Sequence, residues 1–384
     1  MNSDDIISNG ICSIPWLHTE INLQNNKILP CCKYAGPSMG SPQDFVKAWT
    51  GKEYSQLRQD LANKVPRLEC QACDVAENSF SYKKFKNTAY QHFNQDLTAD
   101  ALPRVIHITL KNTCNFACRM CHPASSSRLH ELSKKSRFLN DFYQAKIDNK
   151  FDIKLLTGIF GNLQRLTITG GEPLIDEDCI DLLAMVEQES KRFKSLTLSS
   201  NLSVIHPKIF DALGKTKASV SINVSIDGPD YIHEYIRYGC NWNTIAVNLK
   251  KLKSICYGLG VNTTISAMNV GYLHELIQAV MSLEKDVGIK FTHLMPTPVL
   301  EPHLHAANLP PDVKKFYKEK LTALNKNYDL PGANTLIQTG ISLLDAKVES
   351  NITVTDFLQE FDRAANTDYR RIYPELSLKD IEQK

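Results

Sequence analysis

The residues best placed to do chemistry are three cysteines, Cys114, Cys118 and Cys121. They are spaced C-x3-C-x2-C within Thr113-Cys114-Asn115-Phe116-Ala117-Cys118-Arg119-Met120-Cys121-His122-Pro123. Three closely spaced thiolates can hold three irons of a cubane iron–sulfur cluster and leave the fourth iron without a protein ligand. An iron left open in this way can bind and reduce another molecule. The same spacing suits a zinc knuckle or a set of reduced structural thiols, and the loop alone leaves those readings open.

A second group of thiols lies nearer the N-terminus: Cys12, Cys31, Cys32, Cys70 and Cys73. Segments 16–23 and 27–29 read as a hairpin around Gln24-Asn25-Asn26, because asparagine tolerates the positive φ of a tight turn. The hairpin delivers Cys31 or Cys32, a polar helix is expected over 42–63, and Cys70-Gln71-Ala72-Cys73 follows. With Cys12 these make a four-thiolate site that suits zinc and iron–sulfur equally. Disulfides are rare in a reducing cytosol, so clustering argues for metal. Cys179, Cys240 and Cys256 are scattered.

The elements that must position the three-cysteine loop alternate from about residue 104 to 295. Strands are expected at 105–110, 163–169, 195–199, 219–225, 261–267 and 290–295, with helices near 123–150, 176–191, 203–213, 241–257 and 271–285. Apolar, β-branched strands alternating with helices predict parallel pairing buried on both faces. The fold class is α/β, as an open doubly wound sheet or a partial TIM-type barrel. In both, ligands bind beyond the C-terminal ends of the strands. The cysteine loop follows the first of these strands. The second ends in Thr169-Gly170-Gly171-Glu172-Pro173, the third in Ser199-Ser200-Asn201, and the fourth in Ser225-Ile226-Asp227-Gly228-Pro229, followed by His233 and Arg237. Singly, each of these groups reads as a helix cap or rim salt bridge; as a set they read as a ligand site.

The remainder bounds the answer. At 384 residues, 42% hydrophobic, 22% charged and net charge +2, the chain has neither the composition of a long disordered protein nor a strong overall basic field. No run approaches the ~18–20 apolar residues of a membrane span. The start, Met1-Asn2-Ser3-Asp4-Asp5, is acidic with no apolar core after it. A soluble, cytoplasmic protein with no membrane or nucleic-acid partner is expected. Helices are expected at 312–326, 333–348 and from Thr355. The segment Tyr369-Arg370-Arg371-Ile372-Tyr373-Pro374 reads as the solvated face of a packed helix, ahead of a nucleic-acid contact.

With the three-cysteine loop, the Gly-Gly-Glu-Pro turn and the Ser225/Asp227 strand end in register, the chain resembles radical S-adenosylmethionine (SAM) enzymes over about 104–295. It departs at Met120, where the family usually has an aromatic residue; a thioether can also pack on an adenine. The resemblance implies a partial (β/α)6 barrel of TIM type, with Cys114, Cys118 and Cys121 holding a [4Fe–4S] cluster whose open iron binds the amino and carboxylate groups of SAM. Gly170, Gly171, Glu172 and Pro173 would bind the SAM amino group. Ser199, Asn201, Ser225 and Asp227 are candidates for the ribose, and Arg237 for the carboxylate. One electron from a flavodoxin- or ferredoxin-like donor would cleave SAM to methionine and a 5′-deoxyadenosyl radical that abstracts a substrate hydrogen atom.

The N-terminal residues resemble twitch/SPASM auxiliary-cluster modules in Cys12, Pro15-Trp16, His18, the hairpin, Pro30-Cys31-Cys32, Cys70-x2-Cys73 and Glu77. Such modules more often follow the barrel, and usually have glycine where Asn25-Asn26 stands. The resemblance favours a second iron–sulfur cluster over zinc. The expected organisation is an auxiliary module over 1–100, the barrel over 101–297 and a helical extension over 298–384. A peptide or protein substrate is expected, modified at a side chain or backbone, with a small metabolite such as a sugar as the alternative. Cys240 is a candidate hydrogen-atom donor. A different class, a non-catalytic zinc or redox binding protein, would use the cysteines structurally.

Overall fold

The computed structural model describes residues 12–73, 101–147, 150–323 and 328–376. The fold is α/β with a largely parallel sheet of eight strands, consistent with a partial TIM-type barrel. In chain order the strands are β1 His18–Asn22, β2 Lys27–Leu29, β3 Val105–Thr109, β4 Ala117–Cys118, β5 Arg165–Thr169, β6 Ser195–Ser200, β7 Ser219–Ser225, β8 Arg237–Tyr238, β9 Gly258–Ile265 and β10 Leu294–Pro298. Strands β4 and β8 form a separate antiparallel pair.

Burial along these strands differs from the expectation. Ile106 and Ile108 of β3, Leu166 and Ile168 of β5, Leu196 and Leu198 of β6, and Ile222 and Val224 of β7 are fully buried. Between them His107, Thr109, Thr167, Thr169, Thr197, Ser199, Ser221, Asn223 and Ser225 are only half-buried. Period-two alternation puts successive side chains on opposite faces. One face is therefore apolar core, and the other is polar rather than a second apolar core. Hydroxyls, the His107 imidazole and the Asn223 amide stand on it.

The chain divides into two compact units. The first takes the described residues of 1–111, 147–198 and 208–219. Within it β1 pairs antiparallel with β2 and parallel with β3, Glu20 opposite His107; β3 pairs with β5, and β5 with β6, both parallel. Asn26 closes the hairpin turn at φ 55, as its residue type allows. The expected helix over 42–63 is broken into a 3-10 turn at Pro42–Asp44 and helices Phe45–Trp49 and Lys52–Ala62.

The second unit takes the described residues of 112–146, 199–207 and 220–384. Within it β9 pairs parallel with β7 and with β10. Its helices include Ser127–Ser133, Arg137–Tyr143, Asp230–Ile236, Trp242–Leu252, Leu273–Val287, Pro311–Ala323, Ala333–Asp345 and Val354–Ala365. The helix expected over 123–150 is two short ones, each started by a serine cap: Ser126 accepts from the Leu129 N–H and Ser136 from the Leu139 N–H. Among the described residues no helix is long and apolar enough to cross a membrane.

Candidate cluster and SAM site

The three-cysteine loop is held by its own backbone and by serines. Ser127 Oγ accepts from the Cys114 N–H at 3.1 Å and donates to the Cys114 carbonyl at 3.0 Å. Asn112 Nδ2 donates to the Pro123 carbonyl at 3.1 Å, tying the loop's two ends together. In its middle, Ala117 and Cys118 pair with Tyr238 and Arg237 across β4 and β8. Gly239 follows at φ 104, where a Cβ would stand 3.3 Å from the Asn115 carbonyl. Only glycine occupies that conformation without strain, so the chain turns away from the loop there.

Cys118 is buried, while Cys114 and Cys121 are half-buried. Burial pushes the Cys118 thiol well up against the opposing pull of Arg237, with Cys121 and Cys114 adding to the rise. Burial and then Cys114 push Cys121 up to about 12. Cys118 thus feels both other thiols, and Cys121 feels Cys114. Two N–H donors face the sulfurs: Asn201 Nδ2 lies 3.9 Å from Cys114 Sγ, and Arg237 Nη1 lies 3.9 Å from Cys118 Sγ. Three thiols gathered under positive charge and N–H donors fit a [4Fe–4S] cluster, whose cysteine sulfurs carry negative charge and accept hydrogen bonds. Among the described residues no three His, Cys, Asp or Glu side chains converge as on a single metal ion. A cubane takes each thiolate on a separate iron.

Asp227 and Arg237, two of the residues expected near SAM, are each other's partners at 2.6 Å, and Asp227 is fully buried. The other Asp227 oxygen accepts from the Thr264 N–H at 2.8 Å. Burial opposes the Arg237 charge, but Asp227 beside it outweighs that and raises its pKa. His233 is buried and held neutral; its Nδ1 accepts from the Asp227 N–H at 3.1 Å. Asn201 is 6% exposed and sits in a network with Asn115 and Ser203: Asn201 Nδ2 to Asn115 Oδ1 is 3.2 Å, and Ser203 Oγ to Asn201 Oδ1 is 2.6 Å. Ser199 and Ser225 are half-buried at the ends of β6 and β7. Cys240 is half-buried, its thiol pushed up to about 12 by burial. The network partners Asn115 and Ser203 escaped the sequence reading, although Asn115 stands inside the motif.

In the first unit, the turn after β5 is packed on the end of β3. The Leu110 N–H donates to the Thr169 carbonyl at 2.8 Å, and the Gly171 N–H to the Lys111 carbonyl at 3.0 Å. Gly170 has φ 136, and a Cβ there would meet Leu110 N and O at 2.8 Å. The sequence suggests that these glycines admit a ligand. Gly170 is also required by the close approach of two backbones at the end of β3. Glu172 is 1% exposed, and its Oε1 accepts from the Leu174 N–H at 3.1 Å.

The N-terminal thiols belong to this first unit. Cys12 and Cys31 pack against a core of Ile14, Leu17 and Val105. Burial raises the Cys31 thiol, and Cys12 and Cys32 add to that rise. Cys32 is exposed. His18 Nδ1 bonds the Pro30 carbonyl at 2.8 Å, fixing the strand before Cys31. The Ala35 N–H donates to the Glu69 carbonyl at 2.9 Å, which brings the 68–73 turn to the hairpin. The side chain of Cys73, and Glu77, lie outside the described residues.

Residues 108–294 match the model of a family described as Radical SAM superfamily. Curated relatives include the GTP 3′,8-cyclase of Alkaliphilus oremlandii, 23% identical over 201 residues that cover 50% of this chain and 56% of that protein. That of Haemophilus ducreyi is 26% identical over 178 residues, covering 46% and 44%. The probable GTP 3′,8-cyclase of Methanocaldococcus jannaschii is 25% identical over 191 residues, covering 48% and 56%. The chain spans about half the length of the curated relatives it matches. Similar solved structures include anSMEcpe with bound AdoMet and Cp18Cys peptide, at TM-score 0.37, 16% identity and 57% and 58% coverage of this chain and that one. Streptococcus suis SuiB bound to precursor peptide SuiA has TM-score 0.35, 12% identity and 84% and 73% coverage.

Proposed function

From the premise that residues 108–294 are the radical SAM domain of a radical SAM enzyme, we propose that the protein cleaves SAM reductively and takes a hydrogen atom from a peptide or protein substrate. When bound, the cluster and SAM supply one-electron cleavage to methionine and a 5′-deoxyadenosyl radical. The chain's residues prepare the place for that chemistry. Cys114, Cys118 and Cys121 are the cluster ligands. Asn201 and Arg237 donate to their sulfurs, which lowers the cost of placing negative charge in a buried pocket. Asp227 holds Arg237 in that position. The half-buried hydroxyls and amides of the polar sheet face are the groups available to SAM and substrate, Ser225 and Ser199 among them. Glu172 and its neighbours in the 170–173 turn are assigned to the SAM amino group.

The single observation that carries this reading is the approach of the Asn201 amide to Cys114 and of the Arg237 guanidinium to Cys118, each at 3.9 Å, on the three-cysteine loop of the second unit. The N-terminal thiols are read as a second, auxiliary iron–sulfur site, with Cys31 in preference to the exposed Cys32. Its resemblance to twitch/SPASM modules supports the peptide substrate. The relatives named GTP 3′,8-cyclase favour a second reading, in which the hydrogen comes from a nucleotide.

The test is anaerobic reconstitution, iron and sulfide analysis, then SAM with dithionite. Formation of 5′-deoxyadenosine that disappears in Cys114→Ala is expected. Stoichiometric zinc without SAM cleavage would overturn the proposal. Deuterium passing from labelled GTP into 5′-deoxyadenosine would replace the peptide by the nucleotide.

A further inference from the structure

Between the second and third cysteines stands Arg119, which is fully buried. A guanidinium out of water is costly unless charge and hydrogen bonds compensate it. Here Nη2 donates to Asp362 Oδ1 at 2.5 Å and to Thr367 Oγ1 at 2.6 Å, and Nη1 donates to the Tyr235 carbonyl. The guanidinium carbon lies 3.5 Å from the centre of the Tyr235 ring and 4.5 Å from that of Phe361. Asp362, 5% exposed, is equally engaged. It accepts from the Tyr235 hydroxyl at 3.1 Å, from Thr367 Oγ1 at 2.6 Å and from the Tyr369 N–H at 2.5 Å. The Arg119 N–H itself donates to the Ile236 carbonyl at 2.9 Å.

Asp362 is on the helix Val354–Ala365, 243 residues along the chain from Arg119. If that helix had only to cover the loop, apolar side chains would do so at no desolvation cost, since replacing a buried ion pair by well-packed apolar groups is often neutral or stabilising. What the pair adds is a fixed orientation, because the planar guanidinium fork has few ways to meet a carboxylate, a hydroxyl and a carbonyl together. One residue to each side of it lie Cys118 and Met120, and Cys121 follows.

We propose that Arg119 and Asp362 are positioning residues that hold Cys118 and Cys121 at the separation the cluster requires, which makes 354–369 part of the cluster site. This rests on the reading of the loop as cluster-binding. The pair acts through the loop backbone, which is anchored on one side by β8 and on the other by Asp362.

Two variants of the full chain test it: the apolar double variant Arg119→Met/Asp362→Leu, and Arg119→Lys, which keeps the charge and loses the fork. Reconstituted protein is challenged with a chelator, and bound iron and sulfide are followed with time. The EPR spectrum of the reduced cluster is recorded with and without SAM. Cluster loss about tenfold or more faster than wild type is expected in both variants. The EPR lines should be altered, while the thermal midpoint of the metal-free double variant stays at or above wild type. Wild-type iron retention and EPR spectra in Arg119→Lys, or in a folded double variant, would overturn the positioning role and leave the cluster reading standing. Wild-type protein that binds no iron would overturn both.

Discussion

Each unit of the molecule buries an arginine beside a set of cysteines, and the two are held differently. In the first unit Arg58, 4% exposed, donates to the Pro15 and Trp49 carbonyls at 2.9 Å and lies over the rings of Trp49 and Tyr54. It steadies the Ile14–Leu17 turn next to Cys12. In the second unit Arg119 meets the carboxylate of Asp362 inside the cysteine loop. Carbonyls and aromatic faces receive a guanidinium adaptably, whereas an ion pair with three further donors on its carboxylate has a single arrangement. The difference follows the tasks assigned to the two sites. Three proposed ligands on one short loop need a rigid loop, while the N-terminal thiols are spread over the segment before Ile14–Leu17, the end of the hairpin and the 3-10 helix Leu68–Cys73.

The largest break in this comparison is expected from the thiols. Cys114→Ala should bring 5′-deoxyadenosine to background, whereas Cys31→Ala should keep SAM cleavage and lose only product, with iron falling to the content of one cluster. Product analysis beside 5′-deoxyadenosine assay separates them; equal loss in both would erase the division of labour. Next come the arginines. Asp362→Ala leaves Arg119 as an uncompensated buried charge and should cost about 3–5 kcal/mol in urea unfolding. Arg58→Met, which removes the hydrogen bonds to the Pro15 and Trp49 carbonyls, should cost about 1–3 kcal/mol. Arg237→Lys should weaken cluster retention about 10–100-fold, the usual effect of losing a group that steadies a metal ligand. Cys32→Ser, at an exposed thiol, should leave the iron count unchanged.

The smallest effect concerns pH. Burial lowers His303 to about 4, where its ring packs on Phe142 and Phe357. As pH falls from about 6.5 towards 4 the unfolded chain takes up a proton that folded His303 refuses, so stability should fall across that window. Thermal midpoints of His303→Gln should vary less over the same range. An identical pH profile would show that His303 does not contribute.

Much of the candidate site can be read from residue type and spacing alone. The C-x3-C-x2-C loop, the Gly-Gly-Glu-Pro turn and Asp227 carry their chemistry in residue type and spacing, and the β/α alternation ordered them along the chain. The polar face of the strands was also written in the alternation Ile-His-Ile-Thr, Leu-Thr-Ile-Thr and Leu-Thr-Leu-Ser, yet a reading tuned to apolar runs passed over it. In the C-terminal segment the solvated-face reading held for Arg370 and Arg371, which are exposed, while Tyr369 and Tyr373 are core. Asp362 left a fainter mark: it is a carboxylate on the stripe Phe357, Leu358, Phe361, Ala365, where burial demands a partner.

Local sequence, then, determined the donors, because ligand chemistry and turn conformation depend on residue type and near-neighbour spacing. Only the tertiary structure decided that Arg237 faces Cys118 and Asp227, that Gly170 serves a backbone crossing, and that Asp362 answers Arg119. Those choices depend on charges and backbones brought together from distant parts of the chain, and no local pattern encodes which buried charge will meet which.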